Sequence, residues 1–173
     1  RLFASWKNPR SPIKKLGIIR RASDSLSTTT GTKMKEALTY DDVLLVPKCS
    51  DIRSRSEVDI STDLGNNLFL EFPIVSSPMD TISEEFMARS MHSAGGTAVI
   101  HRYCSIETQS GMIGRAFSMG ATNIGGAIGV SGDYLERAHA ALEQGCRFLC
   151  VDVAHGHHIM TKEALENLRK TFG

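Results

Sequence analysis

The sequence predicts an α/β fold built on a parallel sheet, and the way its apolar runs end is the main reason. Phe72–Ser77, Thr97–His101 and Phe148–Val153 are short apolar runs that each stop at polar residues. Longer segments with apolar residues at helical spacing stand between them. Strands that alternate with such helices form parallel sheets, because a parallel connection needs a long crossover. The polar strand ends should therefore share one edge of the sheet.

Four strand and helix pairs are predicted in order. The strands are 72–77, 97–101, 123–130 and 148–153, and the helices are 83–94, 105–119, 132–144 and 161–171. Ser83 is the expected N-cap of the first helix, and Gly95 and Gly145 end the first and third helices. The buried stripe of the first helix is expected to be Phe86, Met87, Ser90, Met91 and Ala94. Before these pairs, Tyr40–Pro47 reads as a short extended arm and Glu57–Ser61 as a strand.

The position of the glycines favours a barrel over a doubly wound sheet. A dinucleotide fold would carry G-x-G-x-x-G after its first strand, whereas this first strand ends in Ser76-Ser-Pro-Met-Asp80. The glycines of Gly125–Gly129 lie inside the third strand. A (β/α)8 barrel of the TIM type needs about 250 residues, and this chain has 173. We therefore expect the first four βα units of a longer parallel barrel.

The first 33 residues differ in charge from the rest. They hold eight Lys/Arg and one acid, which gives a net charge of +7 against −6 for residues 34–173. Such a leader fits a transit peptide or a nucleic-acid-binding arm, but Met34 is the first methionine. We predict that residues 1–33 are a disordered or non-native leader, that 34–173 is the incomplete domain, and that nucleic acid is not a partner.

The cysteines and the hydropathy pattern predict a cytoplasmic protein. Cys49, Cys104, Cys146 and Cys150 show no C-x-x-C pair and no secreted disulfide spacing. Neither a signal peptide nor an apolar run of about 18 residues is evident. We therefore expect a soluble chain in a reducing compartment, with no membrane contact.

Four sequence segments resemble one enzyme family. They are Leu38–Pro47, Ser54–Asp59, Ser76–Thr81 and Val151–His157. In this order and spacing they look like the IMP dehydrogenase/GMP reductase family, from Met34 to the end of the chain. The resemblance implies a (β/α)8 catalytic barrel that acts on purine nucleoside monophosphates and is commonly a homotetramer.

The resemblance also implies a set of site residues. Ser77 and Met79 match residues that touch the bound monophosphate, while Asp152, Val153, Ala154 and Gly156 match the cofactor side. Arg102 and His155 are further candidates at the strand ends, and His101 and Arg102 are candidate cationic donors to substrate or cofactor. The alternatives are that Met79 is core, that Ser77 and Asp152 hold turns, and that Arg102 is solvated.

No metal site and no catalytic residue are predicted within the chain. A metal site could be suspected at one loop, which contains His155, His157 and His158 close to Asp152. However, no further acid or cysteine completes a coordination shell nearby. The resemblance implies a nucleophilic cysteine that attacks purine C2, and we expect it beyond Gly173. This chain alone is therefore expected to be inactive.

Two activities within the family remain open. Asp152-Val-Ala-His-Gly156 and Ser54–Asp59 look like GMP reductases, which convert GMP to IMP with NADPH, whereas Ser76–Asp80 looks like IMP dehydrogenases, which use NAD and a monovalent cation. Many dehydrogenases insert a regulatory module before the third strand, and none fits between Gly111 and Asn123. The reductase is therefore the preferred reading. An inactive fragment or a binding subunit is the alternative from another class.

Overall fold

The computed structural model describes residues 18–20 and 37–173, which fall into two compact units. One unit contains 59–173, and the described residues up to Val58 belong to the other. The predicted leader, residues 1–33, lies outside the described residues apart from Ile18–Arg20, so its boundary stays a prediction.

The unit that ends at Val58 contains a two-stranded antiparallel sheet. Strand β1 (Ile18–Arg20) pairs with β2 (Val43–Leu45), so that Ile18 lies opposite Leu45. One-turn 3-10 helices cover Tyr40–Asp42 and Arg55–Glu57. The predicted arm at Tyr40–Pro47 is thus part helical turn and part strand. The predicted strand at Glu57–Ser61 is wrong, since Ser54 accepts the backbone N–H of Ser56 and starts a helical turn there.

The larger unit opens with a short hairpin and continues as a parallel sheet. Strand β3 (Thr62–Asp63) pairs antiparallel with β4 (Phe69–Leu70). The parallel sheet has the order β5-β6-β7-β8. Its strands are β5 (Val75–Ser76), β6 (Thr97–Ile100), β7 (Ile124–Ile128) and β8 (Phe148–Val151). Its helices are α1 (Glu85–Ser93), α2 (Ile106–Ser118), α3 (Tyr134–Glu143) and α4 (Ile159–Phe172).

This topology confirms the predicted α/β fold with a parallel sheet and helical connections. Each strand pairs in parallel with the next one along the chain, as in the first half of a barrel. Closure into a barrel stays a prediction. Among the helices of the described residues, the longest has 14 residues, and none has the length and apolar content that a membrane span requires.

Two apolar clusters hold the helices to the sheet. Every residue of β6 and β7 is buried, as expected for central parallel strands that are covered by helices. The first cluster packs α1 and α2 against these strands, and the second packs α3 and α4 beside it. Ile100, Ile113 and Ile124 are fully buried in the first cluster, and Ile128 and Leu168 in the second.

The start of α1 differs from the sequence prediction. Glu84 is its N-cap residue, and Ser83 lies one residue further out, completely buried. The predicted N-cap is therefore wrong, because the Ser83 hydroxyl donates to the carbonyl of Ser77 instead of binding the helix. The predicted stripe is also wrong in part, since Phe86 is 69% exposed and Ala88 is the fully buried residue of the helix.

A buried polar network joins α2, α3 and the strand ends. The Gln109 side-chain amide donates to the carbonyls of Ile100 at 3.2 Å and Ala127 at 2.8 Å. Arg137 donates to Gln109 Oε1 at 3.1 Å and to the Cys104 carbonyl at 3.1 Å. Buried polar groups are tolerated when they are hydrogen-bonded in this way.

We expect Gly96→Ala to destabilise the larger unit by about 1–3 kcal/mol, because a Cβ there has no room. It would lie 2.7 Å from the Ile74 carbonyl oxygen, a backbone atom that accepts the N–H of Thr97. Urea unfolding followed by circular dichroism measures the change. Gly156→Ala is the control, since no atom lies within 4 Å of a Cβ at that position. Equal stability of the two variants would contradict the packing argument.

An ion pair between α1 and α2 should make stability depend on pH. Arg115 Nε lies 2.9 Å from Glu85 Oε1. Burial raises the pKa of Glu85, but the hydrogen bond from Arg115, a backbone hydrogen bond and the charge of Arg115 together outweigh it, so the pKa lies below its ordinary value of 4.5. A depressed pKa contributes stability above the unfolded-state value, and the contribution is lost as the pH falls through the folded-state value.

We therefore expect Arg115→Gln to lower the free energy of unfolding by about 0.2–1 kcal/mol near neutral pH, the range of exposed ion pairs. The difference from the wild-type chain should vanish in acid, once Glu85 is protonated. Thermal unfolding at a series of pH values measures it. Arg89→Gln removes an exposed charge of α1 and serves as the control; a loss that persists unchanged in acid would refute the pairing.

Candidate functional site

The carboxyl ends of the parallel strands bring the predicted site residues to one edge of the sheet. Ser77 follows β5, Arg102 comes two residues after β6, and Asp152 follows β8 directly. Parallel pairing places all strand ends of one kind at the same edge. Ligands of parallel α/β proteins bind at this edge, which makes it the candidate binding site of this α/β domain.

Arg102 and Asp152 are in direct contact across this edge. Arg102 Nη2 donates to the backbone carbonyl of Asp152 at 2.9 Å, and Arg102 Nε lies 3.6 Å from Asp152 Oδ2. The second distance is an ion pair and not a hydrogen bond, so buried Nε and Oδ2 atoms have no hydrogen-bond partner among the described residues. The guanidinium also lies 5.7 Å from the centre of the Tyr103 ring, a cation–π contact.

The Arg102 guanidinium lies beside the end of β7. A Cβ on Gly129, just after β7, would lie 3.5 Å from Arg102 Nη1, an ordinary van der Waals distance. The Asp152 side chain is partly exposed, at 28%, although its Oδ2 atom is buried against Arg102.

The loop between β5 and α1 carries the other two predicted residues. Ser77 is exposed, and Met79 is 52% exposed, so Met79 is not a core residue. The Ser83 hydroxyl donates to the Ser77 carbonyl and contacts Ser76 Oγ, and the Ser83 N–H donates to the Met79 carbonyl at 3.0 Å. No hydrogen bond or ion pair of the described residues joins Ser77 or Met79 to the arginine–aspartate pair.

The remaining predicted residues follow β8. Val153 is half-buried, and Ala154, His155 and Gly156 are exposed. A Cβ on Gly156 would meet no atom within 4 Å, so there is free space at that position. His158, which follows them, is the N-cap of α4, because its Nδ1 accepts the N–H of Met160 at 3.2 Å.

His101 is a buried residue that directly follows β6. Its side chain is 3% exposed, and its Nε2 atom faces Glu84 Oε1 at 3.6 Å and Asp80 Oδ1 at 3.8 Å. Its position directly after four buried strand residues is the sequence signal for burial. We expected a cationic donor at the mouth of the site, whereas the imidazole is directed at two carboxylates.

The His101 cluster has the donor atoms of a metal site but the wrong proton arrangement. The three ligand atoms of Asp80, Glu84 and His101 lie within 4.8 Å of one another. However, the Tyr103 backbone N–H donates to His101 Nδ1 at 3.2 Å, which places the proton of a neutral imidazole on Nε2. A metal ligand needs a free lone pair there, and its other nitrogen normally donates. The cluster therefore suits a hydrogen-bond donor better than an ion.

The buried Cys146 and the half-buried Cys104 and Cys150 are not activated as nucleophiles. Burial raises the pKa of Cys146 to about 12. Burial also raises the pKa values of Cys104 and Cys150 above the ordinary thiol value. The thiolate is the reactive form, so these three side chains are thiols at neutral pH.

A groove away from the strand edge is unrelated to these residues. It lies between α1 and α2, has a volume of about 570 Å³, and is lined by Phe86, Arg115 and Gln144 among others. It shares no residue with the strand-end site.

Comparison with known proteins identifies the family. Residues 37–173 match the model of the IMP dehydrogenase / GMP reductase domain. The chain therefore belongs to the IMP dehydrogenase/GMP reductase family.

Named relatives come from both branches of this family. An inosine-5'-monophosphate dehydrogenase of Nitrosopumilus maritimus is 44% identical over 101 residues, which are 58% of this chain and 21% of the relative. A GMP reductase of Leishmania donovani is 50% identical over 80 residues, 46% of this chain and 16% of the relative. The inosine-5'-monophosphate dehydrogenase of Cryptosporidium parvum is 29% identical over 182 residues, 80% of this chain and 45% of the relative. The chain thus spans less than half the length of each.

We expect Ser83→Ala to destabilise the larger unit by about 1–3 kcal/mol, because the Ser77 carbonyl loses its buried donor. Ser90→Ala is the matched control, since its exposed hydroxyl donates only to the Phe86 carbonyl within α1, and its effect should stay within about 0.5 kcal/mol. Chemical unfolding of both variants measures the difference. A Ser83 variant as stable as the Ser90 variant would show that this hydroxyl does not anchor the loop.

Proposed function

We propose that the complete protein is a purine nucleotide oxidoreductase of the GMP reductase type. The contact between Arg102 and Asp152 at the strand edge carries the proposal, together with the family match over 37–173. The partly exposed Asp152 carboxylate lies beside the exposed Ala154 and Gly156, and a carboxylate can accept from the ribose hydroxyls of a dinucleotide.

The substrate side of the proposed site is the loop after β5. The exposed Ser77 hydroxyl is available to bind a purine nucleoside monophosphate, and the exposed Met79 thioether suits packing against its ribose or base. This loop is held by two hydrogen bonds from Ser83: its hydroxyl donates to the Ser77 carbonyl, and its N–H donates to the Met79 carbonyl.

The cofactor side of the proposed site follows β8. Asp152 would accept from the cofactor, Val153 and Ala154 would line its path, and Gly156 offers open space for close approach. Arg102 would orient the Asp152 carboxylate, and His155 lies exposed beside it. When bound, NADPH supplies the hydride that replaces the amino group at purine C2, and that group leaves as ammonia after taking up one proton.

The reductase assignment rests on two features of the described residues. Val153 and Ala154 stand where dehydrogenases of the resembled family usually have hydroxyl residues. In addition, α2 ends at Ser118 and β7 begins at Ile124, so a short turn occupies the place of a regulatory insertion. The alternative, an IMP dehydrogenase that uses NAD with a monovalent cation, is favoured by Ser76–Asp80.

Further properties of the complete protein belong to the same proposal. The nucleophilic cysteine is proposed to lie beyond Gly173, which leaves the 173-residue chain inactive by itself. The raised pKa values of Cys104, Cys146 and Cys150 disfavour these three thiols as nucleophiles. Four unpaired cysteines suit the cytoplasm. A homotetramer with the closed eight-unit barrel is the expected assembly.

An assay of the complete gene product tests this function. Nicotinamide absorbance is followed with GMP plus NADPH and separately with IMP plus NAD. NADPH oxidation that depends on GMP supports the reductase, whereas NADH formation from IMP identifies the dehydrogenase. Inactivity with both pairs would favour a binding subunit or an inactive member.

We expect Asp152→Asn in the complete protein to lower kcat/KM for the dinucleotide by about tenfold to a hundredfold. This loss corresponds to about 1.5–3 kcal/mol, the usual contribution of a hydrogen bond to a charged group. Glu166→Gln is the control, because Glu166 also pairs with a cation, Lys162, at 3.7 Å but is an exposed residue of α4. An equal loss of kcat/KM in the two variants would refute a cofactor contact for Asp152.

A further inference from the structure

His101 contacts the loop between β5 and α1 through both its backbone and its ring. Its N–H donates to the Ser83 carbonyl at 3.3 Å. Its Nε2 faces the Glu84 and Asp80 carboxylates at 3.6 and 3.8 Å. The end of β6 therefore meets three neighbouring positions of the loop that carries Ser77 and Met79.

The tautomer of His101 makes Nε2 a donor. The Tyr103 N–H can only donate, and it lies 3.2 Å from Nδ1, so Nδ1 must accept. A neutral imidazole then has its proton on Nε2, which is buried and has no hydrogen-bond partner at normal distance among the described residues. Burial without a partner is unfavourable for such a group.

The two carboxylates can meet this donor at little cost. Asp80 is 65% exposed and Glu84 is 43% exposed, so both side chains have room to move by the few tenths of an ångström that a hydrogen bond requires. The imidazole is held in the core and is 3% exposed. The rigid partner is thus the histidine, and the loop adjusts to it.

We propose that His101 is a positioning residue, a neutral Nε2–H donor that fixes the 77–84 loop through Asp80 and Glu84 so that Ser77 and Met79 meet a nucleoside monophosphate. The identity of the ligand in this proposal rests on the proposed function. The tautomer of His101 and its effect on the loop are independent of that function. His101 itself touches the loop and not the substrate.

Two substitutions separate the two nitrogens. His101→Gln keeps an amide N–H near the position of Nε2, and His101→Asn keeps a polar group near Nδ1 while it removes the Nε2 donor. We expect amide hydrogen exchange at Ile82 and Ser83 to become about tenfold faster in the Asn variant and to change less than twofold in the Gln variant. Exchange in α3 should be unchanged in both.

Nitrogen-15 NMR of the 173-residue chain reports the tautomer directly. We expect a protonated Nε2 and an unprotonated Nδ1 for His101.

Titration with GMP should give a dissociation constant about tenfold higher for the Asn variant than for the Gln variant. His139→Asn is the control for removal of a histidine beside a carboxylate, since His139 lies 3.4 Å from Glu143 and is 63% exposed. It should alter neither exchange in the loop nor GMP binding.

A proton on Nδ1, or equal exchange rates in the Asn and Gln variants, would overturn the proposal. If the Asn variant does not fold, the double variant Asp80→Asn with Glu84→Gln weakens the acceptors and leaves the core intact. Faster exchange at Ile82 and Ser83 then supports the proposal, and unchanged exchange overturns it. Absence of GMP binding by the wild-type chain would count against the proposed function, while the tautomer and exchange results still decide the role of His101.

Discussion

The side-chain amide of Gln109 is the interaction on which the strand edge depends. Its nitrogen donates to the carbonyls of Ile100 and Ala127, which belong to two neighbouring strands, and its oxygen accepts from Arg137 of the next helix. One side chain of α2 thus fixes the ends of β6 and β7 relative to α3. An apolar residue in its place would leave two buried carbonyls without donors.

This network also supports the short segment that carries two of the candidate site residues. Arg137 also donates to the Cys104 carbonyl, three residues after His101. The segment from Ile100 to Cys104, which carries both His101 and Arg102, is therefore held at each end by the same pair of polar side chains. Rigid support of this kind lets a loop present side chains to a ligand without a large ordering cost on binding.

Much of the fold could be predicted from the sequence, because its elements are encoded locally. The apolar runs and the helix-ending Gly95 and Gly145, whose φ values are +82° and +93°, gave the order of strands and helices. The start of α1 could not be predicted in the same way. The hydroxyl of Ser83 has a tertiary acceptor, the Ser77 carbonyl, and a partner outside the helix overrides a capping preference.

The candidate site could be predicted only residue by residue. The sequence placed Arg102 and Asp152 at strand ends, but their contact spans 50 positions and follows from the sheet order. The sequence also did not indicate which neighbouring groups the His101 side chain faces. Whether a residue at the end of a strand faces the ligand or the core is decided by the groups packed around it, here Asp80 and Glu84.

The turn between α2 and β7 has a consequence for the evolution of the domain. Gly120 is exposed, has a φ of +92°, and no atom lies within 4 Å of a Cβ at that position. Chain added at such a surface turn disturbs no packing, and its closure entropy grows only slowly with length. A whole module could therefore be gained or lost at Gly120 during gene fusion and deletion, while the parallel sheet on either side continues to fold as before.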